Sequence, residues 1–343
     1  MSKGPAIDAR VGVFCEQFLA SARGYQHNHP TINKTIALGS RSVSITVPIS
    51  TWGALGNPLD GLVEYVGEVE NPDVRIILFQ NAEYARLPIA TWPSSWHYPL
   101  GQISQDQTHR YRVAIDRHTG TVAVFDMKSR VCGVWAYEVA RLPYWWVATP
   151  FRLQFSWIAD TFDAELIHAA AVSDGNNGYL LTGVSGSGKS TVTHQLAEEG
   201  VKAISDDFVL VENHHISSPF LRTKLHDSSL EMLPNLWTKV LNQKEVGQKR
   251  IVEGAISPVT EPVSLRSIFL VRVGDSSTIL PESRTQIFRD LAIGTIPGVL
   301  GGNLRSLSRI TSTIRHSTTW RFQTSDSQSR NIEEWKNFVA NST

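Results

Sequence analysis

Residues Gly183 to Ser190 read G-V-S-G-S-G-K-S, a complete phosphate-loop pattern, and this stretch limits the possible folds more than any other. A glycine loop of this kind works only between a buried strand and the start of a helix, where backbone N–H groups converge on an anion. The flanks supply both. Gly178 to Thr182 is an apolar run that reads as a strand, and Thr191 to Glu199 reads as a helix that Gly200 can stop. In such a loop the backbone of Gly183, Ser185, Gly186, Ser187 and Gly188 would wrap the phosphates, with Thr191 just beyond. Lys189 would reach the terminal phosphates, and the Ser190 hydroxyl would bind Mg²⁺.

The surrounding chain predicts an α/β protein in two parts, with a boundary between 146 and 147. Residues 1–146 read as mostly β. A short amphipathic helix is expected around Val11, Phe14, Cys15, Phe18 and Leu19. Strand patterns follow in 34–51 and at Val74 to Phe79, a loop at 88–101, and a hairpin from Tyr111–Asp116 and Thr121–Asp126. Two prolines in L-P-Y-W-W-V-A-T-P mark the boundary. Beyond it come a helix over 151–162 and a strand over 166–172. A short turn at 173–178 leads into the loop strand, so those two strands must be antiparallel. A strand over 264–273 and helices near 284–293 and 304–313 follow, and the Ser/Thr/Asn-rich tail past Thr324 is expected to fray.

Asp206 and Asp207 interrupt an apolar, strand-like run from Val201 to Val211. Carboxylates in such a setting are costly unless paired or metal-bound. Phosphoryl transfer gives them work, since it needs a metal ligand and an acceptor for the hydroxyl proton. Neighbouring strand residues point to opposite faces, so the two acids would take separate tasks. His168 lies in the apolar stretch 166–172, where a hydrogen-bonded structural role is the default and assistance to Asp206 the alternative. Arg222, Lys224, Lys249 and Arg250 are the nearby cations that could meet phosphate charge. His214, His215 and His226 follow no zinc spacing.

Composition narrows the partners. The 343 residues carry 32 basic and 32 acidic side chains, so no net charge draws the chain to nucleic acid or an anionic membrane. The two cysteines, Cys15 and Cys132, cannot form a disulfide framework and suit a reducing cytoplasm. No apolar run of roughly 18 residues is present, so no membrane association or export is expected. Of ten tryptophans, Trp92, Trp96, Trp135, Trp145 and Trp146 cluster early. Core packing is their default role, and an aromatic peptide-binding surface the alternative.

Taken in order, H-A-A-A-V, a glycine turn, L-L-T-G-V-S-G-S-G-K-S-T, a helix ending E-E-G, and S-D-D-F resemble the HPr kinase/phosphorylase group. That group is related in fold to the ATP-dependent PEP carboxykinases. The likeness spans about residues 151–250, under a third of the chain. It implies an HPr kinase/PEP carboxykinase-like P-loop domain with a mixed sheet over 147–343, preceded by a β-rich recognition domain. It further implies that Asp206 is the base on a serine hydroxyl with His168 assisting, and that Asp207 and Ser190 hold Mg²⁺. Lys189 and the loop would hold the phosphates of ATP. From the cations themselves, and not from the resemblance, Arg250 is the arginine expected to spread the charge of the transferred group. The E-V-R-G-L-G segment of that group is missing, and Thr191 stands where a glutamate is usual. In this the chain is more similar to divergent relatives from bacterial peptide natural-product clusters, including lasso peptide kinases, which phosphorylate a C-terminal Ser. The expectation is a cytoplasmic ATP/Mg²⁺-dependent kinase for a serine hydroxyl of a peptide or small protein, in a possible homo-oligomer. A small-molecule hydroxyl kinase and a non-catalytic nucleotide-binding regulator are the alternatives.

Overall fold

A computed structural model describes residues 9–49, 56–80, 96–98, 101–105, 110–116, 119–241, 249–257, 259, 261–296 and 304–342. The protein is α/β with mixed sheets, and it divides into two compact units. One comprises 1–60 and 64–161, the other 61–63 and 162–343.

The first unit begins with α1 (Ala9–Asn28) and the strands β1 (Thr31–Leu38), β2 (Arg41–Pro48) and β3 (Val74–Phe79). It continues with β4 (Trp96–Tyr98), β5 (Gly101–Gln105), β6 (Tyr111–Asp116), β7 (Thr121–Asp126) and β8 (Val131–Ala136), then α2 (Tyr144–Ala148) and α3 (Arg152–Asp160). The eight strands form one sheet in the order β1-β2-β3-β8-β7-β6-β5-β4. β3 runs parallel to both of its neighbours, and the other pairs are antiparallel. The 111–126 hairpin and the 74–79 strand have the limits their apolar patterns set.

α1 lays Cys15, Phe18, Leu19 and Ala22 onto β3, β7 and β8. Gly133 makes this close approach possible, because a Cβ there would lie 3.0 Å from the Phe18 ring. Cys15 and Cys132 are free and buried. Trp135 and Trp146 are buried, in keeping with core packing; Trp92 and the Trp96 side chain lie outside the described residues. So does most of the 88–101 loop. The units separate at Thr161, later than the proline-marked boundary at 146/147. α3 is tied to the first sheet by Arg112, which donates to the Trp157 carbonyl at 3.3 Å and pairs with the Asp160 carboxylate.

The second unit contains β9 (Glu165–Ile167), β10 (Ala170–Ser173), β11 (Gly178–Thr182), α4 (Lys189–Glu198), β12 (Lys202–Ser205), β13 (Val209–Glu212) and β14 (His215–Ser217). After these come β15 (Thr223–Leu225), α5 (Asp227–Glu231), β16 (Arg250–Val252), β17 (Val263–Val273), β18 (Thr278–Pro281), α6 (Arg284–Thr295), α7 (Leu304–Arg315), β19 (Thr318–Thr324) and α8 (Gln328–Ser342). The main sheet runs β12-β10-β11-β17-β14-β13-β9, with β19 and then β18 continuing from the second edge of β17. β10 and β11 are antiparallel, as their short turn requires. β11, β17 and β19 are mutually parallel where they pair.

Alternation along the strands builds two cores. Leu180, Ile268 and Leu270 face α6 and α7, while Tyr179, Leu181, Phe269 and Val271 face α4 and α8. Two expectations are corrected here. The 166–172 strand is broken at His168 and Ala169, and the tail past Thr324 does not fray. It forms α8, whose Ile332 and Trp335 sit at helical spacing and are buried in the second core, with Phe338 and Val339 packed against it. Among the described residues, no helix is long and apolar enough to cross a membrane.

Candidate functional site

β11 delivers the chain into the phosphate loop with Thr182 fully buried. Gly183, Gly186 and Gly188 all have positive φ, of 146°, 80° and 91°. At Gly183 a side chain is sterically excluded as well, since a Cβ would stand 2.6 Å from Ser187 Oγ and 2.8 Å from the Val271 carbonyl. A Cβ at Gly186 would instead enter open space. Gly188 caps α4 with no side-chain hydrogen bond, which leaves the first amides of that helix to an outside acceptor. Ser187 Oγ is buried and has no hydrogen-bond partner among the described residues. Lys189, 7% exposed, donates to the Gly183 carbonyl at 2.7 Å and the Val184 carbonyl at 3.1 Å. Burial draws its ammonium below the ordinary lysine range, against the opposing pull of Asp207 and Asp206. An orphaned hydroxyl, open helix amides and a desolvated ammonium around one concavity are a donor set that fits a phosphate chain.

The acid pair takes its position from two chain breaks that coincide. β9 pairs with β13 through Ile167 and Val209, while β10 pairs with β12 through Ala171 and Ser205. The stretch from His168 to Ala169 therefore lies opposite Asp206 to Phe208. Ser205 closes the second break by donating its hydroxyl to the Phe208 carbonyl at 2.8 Å. His168 Nδ1 sits 2.8 Å from the Asp207 carbonyl and 3.2 Å from its carboxylate. A carbonyl can only accept, so the imidazole carries a hydrogen on Nδ1. On the other side of Asp207, Lys224 Nζ forms an ion pair at 2.6 Å. Burial would raise the Asp207 pKa, but the Lys224 charge and the His168 contact overcome it and hold the carboxyl well below its usual range. Asp206 points elsewhere. Its Oδ2 accepts from the Thr223 hydroxyl and lies 3.8 Å from His194 Nε2.

The loop from Ser185 onward, His168 and both acids line one cleft of about 260 Å³, just below the usual range of small-molecule sites, roughly 300 Å³ upward. Its wall includes Ser185 to Thr191, His168, Asp206, Asp207, Lys224 and Lys249. The phosphate loop, both acids and His168 are thus gathered as the sequence requires, but His168 is partnered with Asp207 and not with Asp206. Thr191 turns its hydroxyl to Ser229, 2.9 Å away. Arg250 is not part of the cleft wall. Its guanidinium is held by Asp227 at 3.0 Å and lies over the Trp237 ring at 5.7 Å. Arg222 is buried against Glu253. Among the described residues, the lysines at the cleft are Lys189, Lys224 and Lys249.

Sequence reasoning missed His194 and Thr223. His194 had a readable signal, since it follows Ser190 by four residues and so shares its helix face. Thr223 had none. No cluster of three or more His, Cys, Asp or Glu suited to a metal exists among the described residues. A nucleotide-borne Mg²⁺ needs none, because phosphates and water supply most of its ligands. Neither the family models nor the curated proteins compared with this chain match it.

Proposed function

We propose that the protein is an ATP-dependent phosphotransferase acting on a serine-type hydroxyl of a peptide or small protein, of the HPr kinase-like kind. The observation that carries this reading is the meeting of a phosphate-loop cradle with the Asp207–His168–Lys224 group in one cleft. A nucleotide binder with no transfer role gives no reason for a histidine-backed carboxylate to line the same cleft as the phosphate loop.

The geometry favours a division of labour in which Asp207 and His168 serve the acceptor and Asp206 serves the metal. His168 lines the cleft, partly exposed, while Nδ1–H anchors it to Asp207; in the neutral imidazole Nε2 would be the nitrogen able to accept a proton. The acceptor hydroxyl would attack the terminal phosphorus as the bond to the bridging oxygen breaks, and its proton would pass to the Asp207–His168 pair. Mg²⁺ on the nucleotide would be held by Ser190 and Asp206, where it neutralises phosphate charge and orients the chain. Lys189 would leave the loop carbonyls for the terminal phosphates, and Lys224 and Lys249 would balance the charge that Arg250 was expected to meet.

The test is intact-mass analysis of a serine-bearing peptide after incubation with ATP and Mg²⁺. A gain of one phosphate that disappears in Asp207→Asn and in Lys189→Met is the expected result. A wild-type protein that binds no ATP at millimolar concentration would refute the reading.

A further inference from the structure

Asp206, Thr223 and His194 form a sealed polar group beneath the cleft, 5%, 0% and 2% exposed. Their hydrogen bonds can be assigned by elimination. The Thr223 hydroxyl has one hydrogen, and Asp206 Oδ2 receives it, because an ionised carboxylate has none to give. His194 Nε2 lies 3.3 Å from the same hydroxyl oxygen. That oxygen has only lone pairs left, so Nε2 must be the protonated nitrogen. The same N–H stands 3.8 Å from Asp206 Oδ2. Asp206 Oδ2 is therefore held by the Thr223 hydroxyl, which His194 in turn orients. The other oxygen, Oδ1, makes no hydrogen bond among the described residues, and Asp206 forms part of the cleft wall. His194 belongs to α4, one turn after Ser190, so the helix that presents the phosphate loop also fixes the direction of this carboxylate.

We infer that His194 is a positioning residue for the metal–nucleotide complex: through Thr223 it orients Asp206 so that Oδ1 faces the divalent cation carried by the nucleotide. This rests on the phosphotransferase reading and adds a specific outer partner to it. Losing such a partner typically costs about 10- to 100-fold in metal affinity. A hydrophobic residue at position 194 would fill the same space but remove the N–H that fixes the Thr223 hydroxyl, leaving the carboxylate held only by a hydroxyl that can rotate.

Calorimetry separates the two ideas without any turnover. ADP is titrated into wild type, His194→Leu, His194→Gln and Thr223→Val, each with Mg²⁺ and each with EDTA. In wild type, Mg²⁺ should strengthen ADP binding. In His194→Leu that strengthening should shrink by roughly tenfold or more, the usual cost of losing an outer-shell partner, while affinity in EDTA stays within about twofold. His194→Gln keeps an N–H donor and should retain most of the effect. Thr223→Val, which keeps the side-chain shape, should lose it and provides the same test should His194→Leu fail to fold. Retention of the full Mg²⁺ effect in His194→Leu, or in Thr223→Val, overturns the inference. Wild type that binds ADP in neither condition overturns the phosphotransferase reading itself.

Discussion

Replacing Asp207 with Asn should destabilise the second unit by about 3 kcal/mol at neutral pH. The Lys224–Asp207 side chains are only 14% and 16% exposed, so the ammonium left behind has little water to compensate it. Removing one partner of a buried pair costs about 3–5 kcal/mol, and this residual exposure argues for the lower end. The substitution keeps the carbonyl that receives His168 Nδ1–H, so the loss reports on the charge and not on the whole cluster. Removing both charges with Lys224→Met should recover much of the deficit, giving a coupling of about 2 kcal/mol in the double-mutant cycle. The effect must also depend on pH. Asp207 has a depressed pKa in the folded protein, so as pH falls the unfolded chain takes up the proton first. The stabilisation is complete above the unfolded value of about 3.9 and disappears as pH drops through the folded-state range. Hydrogen-exchange mass spectrometry of peptides spanning 202–212 reads the local opening free energy of this segment. A single variant within about 0.5 kcal/mol of wild type at pH 7, with an additive cycle, would refute the reasoning.

Gly183→Ala should cost about 1–3 kcal/mol from the positive φ alone, before the clash with the Val271 carbonyl is counted, and should weaken ADP binding in calorimetry. Tyr179→Phe removes a 2.6 Å hydrogen bond to Asp174, whose pKa is held below the usual range despite burial by Tyr179 and by the turn amides of Asn177 and Asn176. A loss of about 1.5–3 kcal/mol is expected in urea unfolding, with the Asp174 pKa rising in an NMR titration. Gly133→Val would force α1 away from the first sheet and should cost about 1–3 kcal/mol, read as faster exchange of α1 amides while β11 and α4 stay unchanged.

Local chemistry made much of the protein legible in advance. The hairpin β6–β7, the strand β3 and the unit β11–loop–α4 follow from alternation, turn residues and glycine spacing, all of which act within a few residues. The same rules failed at His168, where a continuous apolar run hid a strand break. At Asp206–Asp207 the two acids interrupt the run, and the chain there joins two short strands, β12 and β13. The two breaks coincide in the sheet for a reason no local pattern carries. They exist because β9 and β10 pair with different segments of one sheet, as do β13 and β12. The tail failed for a different reason. Its polar composition suggested fraying, but a stripe of Ile332, Trp335, Phe338 and Val339 was enough to bury one face against β17 and β19.

By itself, then, the sequence determined that a strand, a glycine loop and a helix follow one another and which residues frame the loop, because backbone torsion at glycines and helix capping are near-neighbour properties. Tertiary structure alone decided which acid meets which partner. His168 and Asp207 are 39 residues apart, Thr223 and Asp206 are 17 apart, and Arg250 is drawn away to Asp227. Ion pairs and hydrogen bonds fall off over a few ångströms, so such choices belong to chain crossings that no local pattern records.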